Sequence, residues 1–180
     1  MAWSTPLTAV ANAALTAAQW NLSVRDNLLE TPAAKATTVG SYFVTTAANS
    51  IAERIVRTNR VDTSETTASS TFGALATPGP AATATATGVG ALCFVTGDLT
   101  NNTAGGAAVM GFAVSGASTI AAADADSVRI RVSGTTEFNR ASALSFVTLT
   151  AGSNTFTAQY KTNGVGTASF QQRQILVMPL

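Results

Sequence analysis

From residue 61 onward the chain alternates with period two, and this pattern limits what it can fold into more than any other feature. "AATATATG" (81–88) alternates Ala with Thr. In "SVRIRVSG", Val128, Ile130 and Val132 fall on one side and Arg129 and Arg131 on the other. "TFTAQYKTNG" sets Phe156 and Ala158 against Thr155, Thr157 and Gln159. Successive side chains of an extended strand point to opposite faces, so each of these segments predicts a half-buried strand. "ALCFVTGD" is instead a continuous apolar run, suited to a central strand covered on both faces. "TPGP" (77–80), "TNNTAGG" (100–106) and the residues 151–154 supply the turns. Eight or so short strands punctuated in this way predict a mainly β fold, a jelly-roll-like antiparallel β-sandwich over residues 61–180. The ending "ILVMPL" would be adhesive if loose, which predicts a central strand or a strand buried between copies of the chain.

One stretch at the front breaks the pattern. "LTAAQWNLSVRDNLLET" (15–31) predicts a helix of about 14 residues, close to the length at which an isolated helix is marginal in water. Thr16 and Gln19 form a capping box, and Leu15 and Trp20 occupy the positions of a hydrophobic staple. Trp20, Val24 and Leu28 follow at i, i+4 and i+8 as a narrow apolar stripe. Thr31 precedes Pro32 and is thereby pushed out of the helical region. A marginal helix of this kind needs a surface to pack on, either its own domain or another molecule. Exposed-looking Trp3 and the irregular flank "AWSTPLTAV" favour an arm that docks elsewhere. Between helix and sandwich, residues 36–60 lack a helical period, and the expectation is an extended connector. Arg54, Arg57 and Arg60 recur every three residues there and so alternate faces in an extended chain, which makes no single basic patch.

Composition narrows the function. Charged residues are 11% of the chain and the formal net charge is +1, which argues against nucleic-acid binding by displaced counterions. Ala and Thr together exceed a third of the residues. The chain has no histidine and a single cysteine, Cys93, expected to be a small buried hydrophobe. Without histidine the common nucleophile–base triads and most zinc sites are out of reach. No stretch approaches the roughly 20 apolar residues of a membrane span, and the N-terminus lacks the basic start and apolar centre of a signal peptide. The expectation is a protein made in the cytoplasm, with no membrane and no nucleic acid among its partners.

Candidate chemistry is sparse. Asp124 and Asp126 in "AAADADS" fall short of the acidic loop that calcium needs, and a solvated loop is the better reading. A carboxylate pair acting on a glycosidic bond would want an aromatic cleft, and only Trp3, Trp20, Tyr42 and Tyr160 are at hand. The sequons at Asn21 and Asn101 carry no weight without secretion. The two "GVG" segments precede neither a lysine nor a helix, so turns explain them. The expectation is a protein that is not an enzyme and uses no metal or cofactor.

The front of the chain resembles the N-terminal signature of a family of tailed-phage virion proteins from phages and prophages of actinobacteria. In that family a "W-T-T-P" start leads into "LTA-x-x-W/M-N-x-x-V-R-D-N-L". The matching residues here are Trp3, Thr5, Pro6, Leu15, Thr16, Ala17, Trp20, Asn21, Val24, Arg25, Asp26, Asn27 and Leu28, about the first sixth of the chain. The resemblance implies three parts: an arm and helix for attachment (1–35), the connector (36–60) and a β-sandwich display domain (61–180). It implies a structural role in the virion as a capsid decoration or head-fibre protein. The alternative is a minor tail or tail-fibre protein whose β-domain binds a host receptor or carbohydrate. The implied partners are further copies of the chain, as a homotrimer by analogy, and major capsid or tail proteins, with a host surface glycan in the alternative. Trp3, Leu15, Trp20, Val24, Arg25, Asp26 and Leu28 are the expected attachment residues. The segments 97–106 and 133–141 are the expected loops for any host contact.

Overall fold

The computed structural model describes all residues except 1–3, 5–6, 9–10 and 134–136. The chain divides into two compact units, Met1–Ile55 and Val56–Leu180.

The second unit is the antiparallel sandwich that the alternation predicts. One sheet runs in the order β5 (Ala81–Ala86), β10 (Gly152–Thr162), β7 (Ala107–Gly116), β8 (Val128–Arg131). The other runs β3 (Arg57–Val61), β11 (Ala168–Pro179), β6 (Ala91–Asn101), β9 (Asn139–Val147), with β4 (Glu65–Thr67) pairing the first part of β11. Every paired strand is antiparallel, and from β8 to β11 successive strands cross from one sheet to the other, as in a jelly roll. Alternate residues of facing strands fill the space between the sheets: Cys93, Val95, Ile175 and Val177 on one side, Met110 and Phe156 on the other, all fully buried. Tyr160 and Phe170 meet across this space with ring centroids 4.9 Å apart. The apolar C-terminus is the central strand β11, flanked by β3 and β4 on one side and β6 on the other.

The first unit holds the helix and a β-hairpin. Thr16 is extended and its side chain accepts from the Gln19 amide at 3.2 Å. The Thr16 amide donates to Gln19 Oε1 at 2.9 Å, which completes the capping box. The helical path is not uniform: α1 (Ala17–Trp20) widens into a π turn (Asn21–Arg25) and returns as α2 (Asp26–Leu28). Directly after the π turn, Asn27 Nδ2 donates to the Ser23 carbonyl at 3.0 Å. A side chain bonded back to the i−4 carbonyl competes with the α-helical ladder. Thr31 is extended before Pro32, as expected, and its hydroxyl also caps a further turn, α3 (Pro32–Lys35).

The segment 36–60 is not the single extended connector that the sequence suggested. Residues Tyr42–Ala47 (β1) and Ser50–Arg54 (β2) form an antiparallel hairpin, and Arg57–Val61 belongs to the sandwich. The turn of the hairpin uses Asn49 at φ 56°, a left-handed position that Asn tolerates well. The three arginines are accordingly dispersed: Arg54 lies in the first unit, and Arg57 and Arg60 lie in the second.

Candidate attachment site and display loops

The helix buries the wrong face for a solvated helix. Asn27 and Glu30 are 5% and 7% exposed, whereas Leu15, Trp20, Leu22, Leu28 and Leu29 are each more than half exposed. Burial of polar groups is tolerable here because each is bonded. The Asn27 side-chain oxygen Oδ1 accepts from the Ser4 amide at 2.9 Å and the Ser4 hydroxyl at 3.1 Å, which ties Ser4 to the helix. Ser4 Oγ also donates to the Leu22 carbonyl at 3.1 Å. Glu30 pairs with Lys35 at 2.5 Å, and this contact holds its carboxyl below the usual range. Lys35 Nζ reaches on to the Ile51 carbonyl at 3.0 Å and so ties α3 to β2.

A second carboxylate organises the approach to the hairpin. Glu53 accepts from the Ser41 hydroxyl at 2.5 Å, the Thr37 hydroxyl at 2.5 Å, and the amides of Thr38 at 2.8 Å and Thr37 at 3.1 Å. Four donors to one charged group lower its pKa to about 2. An open cleft of about 330 Å³ lies between Glu30–Pro32 and the hairpin residues Thr45, Asn49 and Ile51.

The expected attachment residues behave unequally. Trp3 lies outside the described residues. Leu15, Trp20 and Leu28 are exposed, and Val24 is half-buried. Leu22 and Leu29 widen the exposed apolar surface beyond the stripe read from i, i+4 spacing. Arg25 and Asp26 bond each other at 2.8 Å on the surface, a pair that contributes little to stability. The fixing of the arm falls to Asn27, the third residue of "RDN". A polar residue at a position flanked by four leucines was its only signal in the sequence.

In the sandwich, the expected loop residues are partly strand: 97–101 complete β6 and 139–141 begin β9. Residues 134–136 of the second segment lie outside the described residues, and the loop that remains of the first, 102–106, is bound to the neighbouring loop 163–167. Asn101 is fully buried and donates to the carbonyls of Ala107 (3.2 Å) and Val165 (3.0 Å) while accepting from the Thr103 amide (3.0 Å). A Cβ on Gly166 would lie 2.5 Å from the Asn101 side-chain oxygen, so this clamp requires glycine there. Asn163 and Asn102 add bonds to Ala107, Gly105 and Thr167. Val165 and Phe138 stand exposed at this end.

Groups that resembled a reactive site are otherwise engaged. Asp124 is held by Lys161 at 2.9 Å and Arg129 at 3.1 Å, which keeps its carboxyl below the usual range. Among the described residues no three His, Cys, Asp or Glu side chains gather as a metal would require. Cys93 is fully buried, and burial pushes its thiol up to about 12.

The architecture defines the class: an antiparallel β-sandwich of the jelly-roll kind, preceded in the chain by a small unit of helix and β-hairpin. No protein-family model matches the chain, and no curated protein matches it. Among solved structures it is similar to the Eiger TNF of S. frugiperda, with 10% identity and a TM-score of 0.45 over 71% of this chain and 92% of that one. It is also similar to a carbohydrate-binding module of Cellvibrio mixtus lichenase 5A, solved with cellotriose, with 14% identity and a TM-score of 0.30 over 81% and 92% of the two chains.

Proposed function

We propose that the chain is a structural protein of a tailed-phage virion, displayed on the particle surface as a capsid decoration or head-fibre protein. The first unit attaches and the sandwich projects. The observation that carries this reading is the inverted helix, which exposes Leu15, Trp20, Leu22, Leu28 and Leu29 and buries Asn27. Five large apolar side chains on one short element have a favourable free energy of burial that is unrealised in the free chain. A docking partner, a major capsid or tail protein, supplies that burial. The same residues carry the resemblance to virion proteins of actinobacterial phages. In this reading the protein is made in the host cytoplasm, resides in the virion, assembles as a homotrimer and catalyses nothing.

The alternative role is a minor tail or tail-fibre protein that contacts a host surface glycan. The rigid loop end, with Val165 and Phe138 exposed beside clamped backbone, favours it as a second reading. Immunogold microscopy of virions with antibody against residues 61–180 tests both. Gold over the capsid is the expected result. Gold confined to the tail supports the second reading, and binding of the sandwich to host cell wall then follows as its test. Unlabelled particles would remove the virion assignment altogether.

A further inference from the structure

Strand β9 is built inside out. Its positions facing the other sheet are small, Ala141, Ala143 and Ser145, while Leu144 and Phe146 point away from the core and are 62% and 54% exposed. The core therefore does not account for the two largest apolar side chains of this strand. They continue a pattern across the sheet. The strand registers place Phe146 beside Leu92 and Leu92 beside Met178, and place Leu144 beside Phe94 and Phe94 beside Leu176. These six outward apolar residues form two adjoining rows across β9, β6 and β11. The Phe146 ring lies over Gly90, where an added Cβ would come within 2.8 Å of it.

Polar rows border the patch. Ser142 bonds Thr96 at 2.9 Å, and beyond them Arg140 pairs with Asp98 at 3.0 Å. On the β3 side Arg60 pairs with Asp62. The charges of this face are thus cancelled in pairs, so another copy of the chain meets it without net repulsion of like charges. At strand spacings near 4.8 Å and about 3.4 Å per residue, the 40 residues of the five strands present roughly 650 Å² in projection. With side-chain relief this approaches the area of about 800 Å² that each partner contributes to a stable contact. An apolar centre, a polar rim and a neutral balance of charge are the features of such a contact.

We infer that the outer face of the five-stranded sheet is a contact surface between copies of this chain, centred on Leu144, Phe146, Leu92 and Phe94. The inference rests on the reading of the chain as an assembling structural protein and specifies where it meets itself. The test is the mass of the full chain by sedimentation equilibrium, for the wild type and for the double variant Leu144→Lys, Phe146→Lys. Both positions are exposed, so circular dichroism should report an unchanged fold in the variant. The wild type is expected to have a multiple of the chain mass and the variant a single mass, with the dissociation constant raised roughly a hundredfold or more. A wild type that stays monomeric at about 100 μM overturns the inference, because a contact of this size should form well below that. So does a folded double variant that keeps the oligomeric mass. An oligomer broken by Leu22→Ser, Leu29→Ser but not by the sheet variant also overturns it, in favour of the helix. Particle labelling is read separately: a monomeric chain on labelled virions would sink this interface and leave the virion reading intact.

Discussion

Arg173 lies fully buried between the sheets, where a charge needs partners to be tolerated. It donates to the carbonyls of Thr77 (3.4 Å) and Thr63 (3.3 Å), pairs with Glu65 at 3.5 Å and stacks 5.3 Å from the Tyr160 ring centre. Tyr160 in turn donates to the Gly79 carbonyl at 2.7 Å, so one cation fastens the 77–80 turn to the core. Arg173→Ala leaves Glu65 and these carbonyls without their donor. It should cost about 3–5 kcal/mol, read by urea unfolding. Cys93 gives a second expectation. Buried and pushed up to about 12, its thiol should resist a maleimide in the native protein and react fully in denaturant. Labelling of the native chain at the rate of a free thiol would contradict the core packing. Glu53 sets the pH behaviour of the first unit. Its folded pKa of about 2 lies below the ordinary 4.5, so its anchoring of residues 37–41 is fully present above 4.5 and is lost as pH falls through about 2. Its carboxyl carbon, followed by NMR, should titrate near 2, and a midpoint above 4 would contradict the four-donor geometry.

Among the elements, the helix and β11 show how a local pattern is redirected. Asn27 holds the arm through Ser4, and Asn27→Ala removes these bonds at a cost of about 1–3 kcal/mol for the polar groups left behind. Amide exchange at Ser4 should quicken by an order of magnitude or more while the sandwich amides are unchanged. Strand β11 changes phase between Gln171 and Gln174, where its register with β6 shifts and Gln172 takes φ 48°. The buried residues switch from Ala168 and Phe170 to Arg173, Ile175 and Val177. That switch from even to odd positions marks a bulge, and the continuous apolar run at 175–178 hides it in the sequence. Nor does the sequence reveal that an arginine faces inward, because charged side chains usually mark the solvent face.

For the whole molecule, the proposed attachment and display roles fall to different compact units, so they should fail separately. Leu22→Ser with Leu29→Ser alters side chains that are already exposed, and should change the unfolding free energy of the sandwich by less than about 0.5 kcal/mol. The same variant should lose particle binding in a pelleting assay. Retained binding would mean that the exposed helix is not the attachment element. The jelly-roll class of the larger unit was legible because most of its strands carry a period-two signal or a continuous apolar run between turn residues. The hairpin at 42–54 was missed because its strands lack strong alternation and its turn depends on one left-handed Asn.

The sequence by itself determined most strands of the sandwich, the Thr16 capping box and the stop at Thr31–Pro32, and it narrowed the C-terminal strand to a central place or an interface between copies. These follow from interactions between near neighbours, where spacing alone fixes which side chains can meet. The tertiary structure alone decided that Asn27 is buried beside exposed leucines, that Arg173 sits in the core, and that Leu144, Phe146, Leu92 and Phe94 share one outer face. Each of those depends on residues far apart in the chain being brought together. A period shows that a strand has two faces, and only packing determines which of them is covered.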